Sequence, residues 1–432
     1  MVDTNGLVIY RNVLKENLLC EMVRLYEFSL EYKERECTDR SLINKMYDCM
    51  YELIDIAGKY GFEDNLWHSY LALLLVNDEN VFSTACEVRE APQGTILSFA
   101  KHDYEIFAEL FAFDLSVYKC FISSALIDSI TNYKRSDNAG KVYNMRIRDH
   151  ICQLGRDLAN AENLDAFTDA MTSFYSRFGV GTIGLHKAFR VVNDGTVKIV
   201  PINNIAHVKL DDLVGYESAK QKLVDNTEAF LKGKPANNCL LFGDAGTGKS
   251  SSIKAILNRY YEDGLRIIEI YKHQLQDLNE VIAQVKKRQY KFIIYMDDLS
   301  FEEFEVEYKY LKAVIEGGLE KKPRNVLIYA TSNRRHLIKE EFSDREGWNG
   351  DLHKTDTVQE KLSLVNRFGV TIYFGSPDKK EFNNIVCTLA KRCGLNIDEK
   401  ELIAQANRWE LEHGGLSGRT AQQFIDYLLG KW

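Results

Sequence analysis

The run Cys239-Leu240-Leu241-Phe242-Gly243-Asp244-Ala245-Gly246-Thr247-Gly248-Lys249-Ser250 leaves this chain little choice of fold. Its apolar start reads as a short strand. A glycine-rich loop follows, and then a helix with apolar positions at Ile253, Ile256, Leu257, Tyr260 and Tyr261. The loop fits G-x-x-x-x-G-K-[ST], a phosphate-binding pattern with a physical basis. Gly243, Gly246 and Gly248 let successive N–H groups turn inward, where side chains would block a phosphate. The helix start adds its own N–H groups and dipole. The backbone from Gly243 through Asp244, Ala245, Gly246, Thr247, Gly248, Lys249 and Ser250 to Ser251 is therefore expected to hold a nucleoside triphosphate. In that arrangement Lys249 neutralises the β- and γ-phosphates, and the Ser250 hydroxyl is a ligand to Mg2+.

A second stretch supplies the other half of such a site. Phe292-Ile293-Ile294-Tyr295-Met296-Asp297-Asp298 is an apolar strand ending in two carboxylates. At the C-terminal edge of a parallel sheet, Asp297 would meet the metal and Asp298 would orient an attacking water. A similar strand, 326–331, ends in Ser332 and Asn333, whose amide can reach the γ-phosphate or that water. Arg367 lies between an apolar helix and the strand 370–374. Arg419 opens the final helix, where a cation opposes the helix dipole and is expected to be held for an anion.

A chain of 432 residues is too long for one ordinary core, so two or three domains are expected. Residues 1–178 read as an all-α N-terminal domain. Leu14, Leu18, Leu19, Met22, Leu25 and Tyr26 keep helical spacing, with Ser41 and Asp64 as capping candidates. Its many aromatics fall on helical apolar faces, which favours core packing over base stacking. Residues 179–206 carry a hairpin signal, Asn193-Asp194-Gly195 between β-branched runs, expected to link two domains. From 207 to 376 strands at 239–242, 266–271, 292–296, 326–331 and 370–374 alternate with helices, as in a parallel sheet covered on both faces. Pro377 marks the start of a small helical domain to 432, with a stripe at Phe382, Ile385, Val386, Leu389, Ala390 and Cys393.

Charge narrows the partners. Residues 1–206 hold 21 Lys and Arg against 29 Asp and Glu, and residues 207–432 hold 34 against 34, so neither half has the basic excess of a nonspecific nucleic-acid binder. The nine cysteines show no C-x-x-C pair and read as reduced core residues. The first 15 residues lack the flank and apolar run of a signal peptide, and the apolar run near 71–76 is too short to span a bilayer. A cytoplasmic chain without a membrane partner is expected.

Taken in order, these parts resemble the AAA+ ATPases, an α/β P-loop NTPase module with a small helical lid at 377–432. More closely, Pro235-Ala236-Asn237-Asn238, Asp297-Asp298-Leu299-Ser300-Phe301-Glu302, Ala330-Thr331-Ser332-Asn333-Arg334-Arg335-His336 and Ser417-Gly418-Arg419-Thr420-Ala421 resemble the bacterial AAA+ family called domain of unknown function 815. The resemblance is specific across 207–432 and implies ATP with Mg2+ as ligands. It implies that Val214 and Gly215 sit beside the adenine, that Asn333 is the first sensor and that Arg419 is the second sensor. It also implies that Arg367 is an arginine finger offered to a neighbouring subunit of a homo-oligomer.

Two features depart from the usual pattern. Asp298 stands where most AAA+ proteins have Glu, so hydrolysis could be slow or assisted by Glu302 or Glu303, and the Asp-Asp pair also resembles helicase loaders. The crossover from Tyr271 to Tyr290 leaves little room for a threading pore loop. Three readings stand. The first is an oligomeric ATPase that remodels a partner chosen by the N-terminal domain. The second is a DNA-associated loader, supported locally by Lys286-Lys287-Arg288 and Arg334-Arg335-His336. The third is a nucleotide-sensing scaffold with little hydrolysis. The role of the loop 341–357 is not assigned.

Overall fold

The computed structural model describes residues 2–32, 37–87, 92–134, 145–203, 205–301, 305, 307–316, 323–333, 337 and 365–431. It divides into two compact units, Met1–His186 and Lys187–Trp432.

The first unit is helical: α1 (Asn17–Tyr32), α2 (Arg40–Tyr60), α3 (Leu66–Asn77), α4 (Val81–Cys86), α5 (Thr95–Phe111), α6 (Ser124–Thr131), α7 (Met145–Ala159), α8 (Leu164–Phe178) and α9 (Gly181–Leu185). Helix α3 is apolar on every side and runs through the centre of this unit, with Trp67, Leu71, Leu75 and Val76 buried. The caps differ from the expected residues by one or two positions. Asp39 rather than Ser41 caps α2, its carboxylate accepting the Ser41 N–H. Asn65 rather than Asp64 caps α3 by accepting the His68 N–H. A cap side chain must stand just outside the helix to accept an N–H of the first turn, and Ser41 is already inside. Most of the aromatics are core, as expected, but Tyr47, Tyr51 and Phe99 are exposed. Among the described residues no helix is long and apolar enough to cross a membrane.

The second unit is built on β1 (Ala188–Asn193), β2 (Val197–Pro201), β3 (Cys239–Gly243), β4 (Leu265–Glu269), β5 (Lys291–Met296), β6 (Val326–Ser332) and β7 (Val370–Phe374). They form one sheet in the order β2-β1-β4-β5-β6-β3-β7. All neighbours are parallel except the hairpin pair β1 and β2. Helices α10 (Glu217–Leu231), α11 (Lys249–Tyr260), α12 (Leu278–Val285) and α13 (Glu307–Glu316) lie between the strands. Strand β6 is buried at every position and β5 at all but its first, which requires cover on both faces.

The hairpin corrects an expectation. It is not a linker, because β1 pairs with β4 through Phe189 and Ile268 and extends the sheet by two strands. The division between units falls before it, at His186, and the segment 181–185 is a short helix. The β-branched run of β1 has unpaired N–H and C=O groups that an adjacent sheet edge can satisfy, and that outweighs its place between two domains.

After β7 come α14 (Lys379–Arg392), α15 (Glu399–Glu412) and α16 (Gly418–Leu429), which enclose a small core around Phe382, Val386, Leu402, Ala406, Phe424 and Ile425. Asp378 starts α14 with a reciprocal cap: its carboxylate accepts the Glu381 N–H, and the Glu381 side chain accepts its own N–H.

Candidate functional site

Strand β3 has β6 on one side and β7 on the other, while its sequence neighbour β4 lies three places away. Ligands of open α/β sheets bind where the strand order reverses in this way, outside the carboxyl ends of the strands. A cavity of about 640 Å³ opens there. Of the expected site residues, its walls include Val214, Ala245, Gly246, Thr247, Gly248, Lys249, Ser250, Ser251, Asp297, Asp298, Asn333 and Arg419. Gly215, Gly243, Asp244 and Arg367 are not among the lining residues.

The glycine loop is shaped by what it packs against. A Cβ at Gly243 would lie 2.0 Å from the Phe374 carbonyl oxygen of β7, and φ there is 136°. At Gly246 a Cβ would meet Arg419 and Ser417 at 3.0 Å, so this part of the loop touches the start of α16. The Arg419 N–H donates to the Gly246 carbonyl at 3.1 Å. Lys249 folds back, its Nζ donating to the Gly243 and Asp244 carbonyls at 2.8 and 2.6 Å. Burial pushes the Lys249 amine below its usual range, and the Arg419 charge adds to this, while the carboxylates of Asp244, Asp298 and Asp297 pull the other way. Two cations converging on one partly desolvated cavity make an anion site.

Asp244, expected to contribute its backbone, uses its side chain elsewhere: the carboxylate accepts both the N–H and the hydroxyl of Ser376, each at 2.8 Å. Those bonds hold its carboxyl below the usual range. Its side chain ties the loop to the segment after β7, because Ser376 lies where β7 emerges beside β3.

The two carboxylates after β5 have distinct surroundings. Asp297 Oδ1 accepts from the hydroxyls of Ser250, Tyr295 and Thr331 at 2.7, 2.7 and 2.6 Å. Burial works to raise this carboxyl, but the three hydroxyl bonds outweigh it and hold it below the usual range. Asp298 takes a left-handed conformation, φ 48°. Its N–H donates to Thr331 Oγ1 at 2.9 Å, and its Oδ1 accepts from Asn333 Nδ2 at 2.7 Å. Thr331 thus braces both aspartates, a role the sequence reading missed. The parallel register explains it, since Met296 faces Ala330 and brings 297 beside 331, and the sequence carried no signal for that register. Glu302, Glu303 and Arg334-Arg335-His336 lie outside the described residues, as does the loop 341–357.

Ser250 and Asp297 offer an alcohol and a carboxylate to a hard cation. Mg2+ takes one or two protein oxygens and completes its shell with phosphates and water, so this pair fits it. The opposite wall is apolar, with Leu213 and Val214 from the segment before α10 and Ile385 and Leu389 from α14. Tyr216 adds a ring whose hydroxyl donates to the Gly375 carbonyl at 3.1 Å, and burial pushes its phenol up to about 12.

Arg367 stands apart from these residues. It precedes β7 and pairs with Glu316 at the end of α13.

A parallel sheet of this order, a glycine loop after the strand next to its β7 edge, paired aspartates on the strand two places away and a small three-helix domain define an α/β P-loop NTPase of the AAA+ type. The particular family follows from residues 185–432, more than half of the chain, which match the family described as protein of unknown function DUF815. The chain belongs to that family. Other likenesses are partial. A 63-residue stretch is 43% identical to the replication factor C large subunit of Staphylothermus marinus, covering 14% of each chain. A point mutant of Thermotoga maritima RuvB is similar at 16% identity and a TM-score of 0.37, over 51% of this chain and 64% of that one. The structure titled Thermotoga maritima RuvB Holliday junction branch migration motor is similar at 14% identity and a TM-score of 0.32, over 72% of its length. The chain spans less than two thirds of the first RuvB chain and a small part of the replication factor.

Proposed function

We propose that residues 187–432 bind ATP and hydrolyse it. The observation that carries this reading is the convergence on one cavity of Lys249 and Arg419, the Ser250–Asp297 pair and the Asp298–Asn333 pair. The loop N–H groups and Lys249 bind the phosphates, and Arg419 brings a second cation from the lid. Leu213, Val214, Ile385 and Leu389 enclose the base. Ser250 and Asp297 would hold Mg2+, which would supply charge neutralisation to the phosphates. Asp298, its carboxylate aimed by Asn333, orients the attacking water and accepts its proton.

The test uses two variants of the full chain. Lys249→Ala should abolish ATP binding, because no other residue of the loop 243–251 carries a positive charge to the phosphates. Asp298→Asn should bind ATP as tightly as wild type and turn over roughly a hundredfold or more slowly. Unchanged affinity in the first variant, with an intact fold, removes the assignment of the loop. Unchanged turnover in the second removes Asp298 from the reaction.

Coupling of this reaction to the remodelling of a partner, in a homo-oligomer, is the further part of the reading. It rests on the AAA+ architecture and on the placement of Arg367 just before β7. A DNA-associated role is favoured by one observation, the short stretch similar to a replication factor C subunit. Retention on DNA that falls steeply with salt would support that second reading.

A further inference from the structure

Helix α14 carries Ile385 and Leu389 on the face that lines the cavity, and one turn further the same face presents Arg392. Its guanidinium reaches back about 180 residues in sequence, donating from NH1 to the Asp212 carbonyl at 3.0 Å and from NH2 to the Asp211 carbonyl at 2.5 Å. The next carbonyl, of Leu213, is held by a second cation, Lys220 Nζ at 2.8 Å, which is itself paired with Glu217. Three successive carbonyls are thus held from two directions, by the lid and by α10. The segment so held supplies Asp212, Leu213, Val214 and Tyr216 to the cavity. The Leu213 side chain also packs over the glycine loop, within 3.1 Å of where a Gly248 Cβ would stand.

An arginine in the last turn of a helix has an ordinary explanation in the helix dipole. Here the bonding goes elsewhere. The nearby Leu389 and Lys391 carbonyls accept from the Cys393 N–H, and the guanidinium spans two carbonyls of a distant segment. A planar fork matches two adjacent acceptors in a way a lysine cannot. The lid therefore meets the rest of the unit at both ends of the cavity. Arg392 makes the contact at the apolar end, and the Arg419 N–H to Gly246 makes it at the phosphate end.

We infer that Arg392 is a positioning residue for the nucleotide base: by holding the Asp211 and Asp212 carbonyls it sets the wall of Leu213 and Val214 against Ile385 and Leu389. The inference rests on the proposed nucleotide site and assigns its base end to a contact between lid and segment. Loss of this clasp should weaken ligands that carry a base and leave base-free polyphosphate alone.

The experiment titrates the full chain with ATP and with inorganic tripolyphosphate, for wild type, Arg392→Ala and Arg392→Lys. Circular dichroism confirms the fold of each. Arg392→Ala removes both hydrogen bonds of the clasp and should lose roughly tenfold or more in ATP affinity, while tripolyphosphate affinity changes less than about twofold. Arg392→Lys, keeping the charge but losing the fork, should fall between. Equal losses for both ligands, or unchanged ATP affinity, overturn the inference while leaving the nucleotide site standing. Wild type that binds neither ligand overturns the nucleotide site itself.

Discussion

Asp298 adopts a backbone conformation that few side chains tolerate. Asp and Asn are several-fold enriched at positive φ, because a short polar side chain can bond locally there. That gives a structural reason for Asp where the AAA+ resemblance led us to expect Glu: the φ of 48° lets the short carboxylate accept from Asn333. Asp298→Glu is therefore expected not to speed turnover, since the longer chain loses the Asn333 bond. Steady-state hydrolysis checks this, and a faster variant would show that carboxylate length limits the rate. Gly243 illustrates the opposite constraint. Its missing Cβ is the space in which the Phe374 carbonyl sits, and both partners are strand backbone that cannot yield. Gly243→Ala should cost about 3 kcal/mol or more, read from the denaturation midpoint.

At the scale of elements, buried polar groups decide where irregular segments lie. In the first unit, the fully buried Asp103 of α5 accepts the N–H groups of Val8, Ile9 and Tyr10 at 2.9, 2.7 and 2.8 Å. The segment before α1 is thereby pinned, and Tyr10 is placed so that its hydroxyl meets those of Tyr104 and Tyr175. Asp103→Ala would leave three N–H donors without their acceptor, that of Tyr10 buried away from water. It should destabilise the chain by about 3 kcal/mol and expose the first dozen residues to limited proteolysis, without altering ATP affinity. In the second unit Asn238 does similar work between strands, its Oδ1 accepting the Ile328 N–H at 3.0 Å and its carbonyl accepting the Val370 N–H at 3.2 Å. The phosphate-loop strand is thus locked to both neighbours at its start.

For the molecule as a whole, the expected finger is the informative residue. Arg367 is paired with Glu316 and is not among the residues lining its own cavity, so a role in hydrolysis requires a neighbouring copy and the opening of that pair. Arg367→Ala should bind ATP normally and hydrolyse it poorly, since such a finger is worth roughly a thousandfold or more. Mixing it with Lys249→Ala chains should restore part of the activity, and wild-type activity per chain should rise with protein concentration. Activity per chain that stays flat where the protein is monomeric would return Arg367 to a structural role. The sequence alone determined the phosphate loop, its strand and helix, and the paired aspartates, because that chemistry is written in contiguous residues and in backbone N–H groups that any glycine-rich turn can present. It also determined the helical character of both ends, through apolar spacing. Tertiary structure decided which side chains meet: Asp244 with Ser376, Thr331 with both aspartates, Arg392 with two distant carbonyls, and the hairpin with β4. Those contacts depend on strand order and register, which bring together residues far apart in the chain, and no local pattern of residues encodes them.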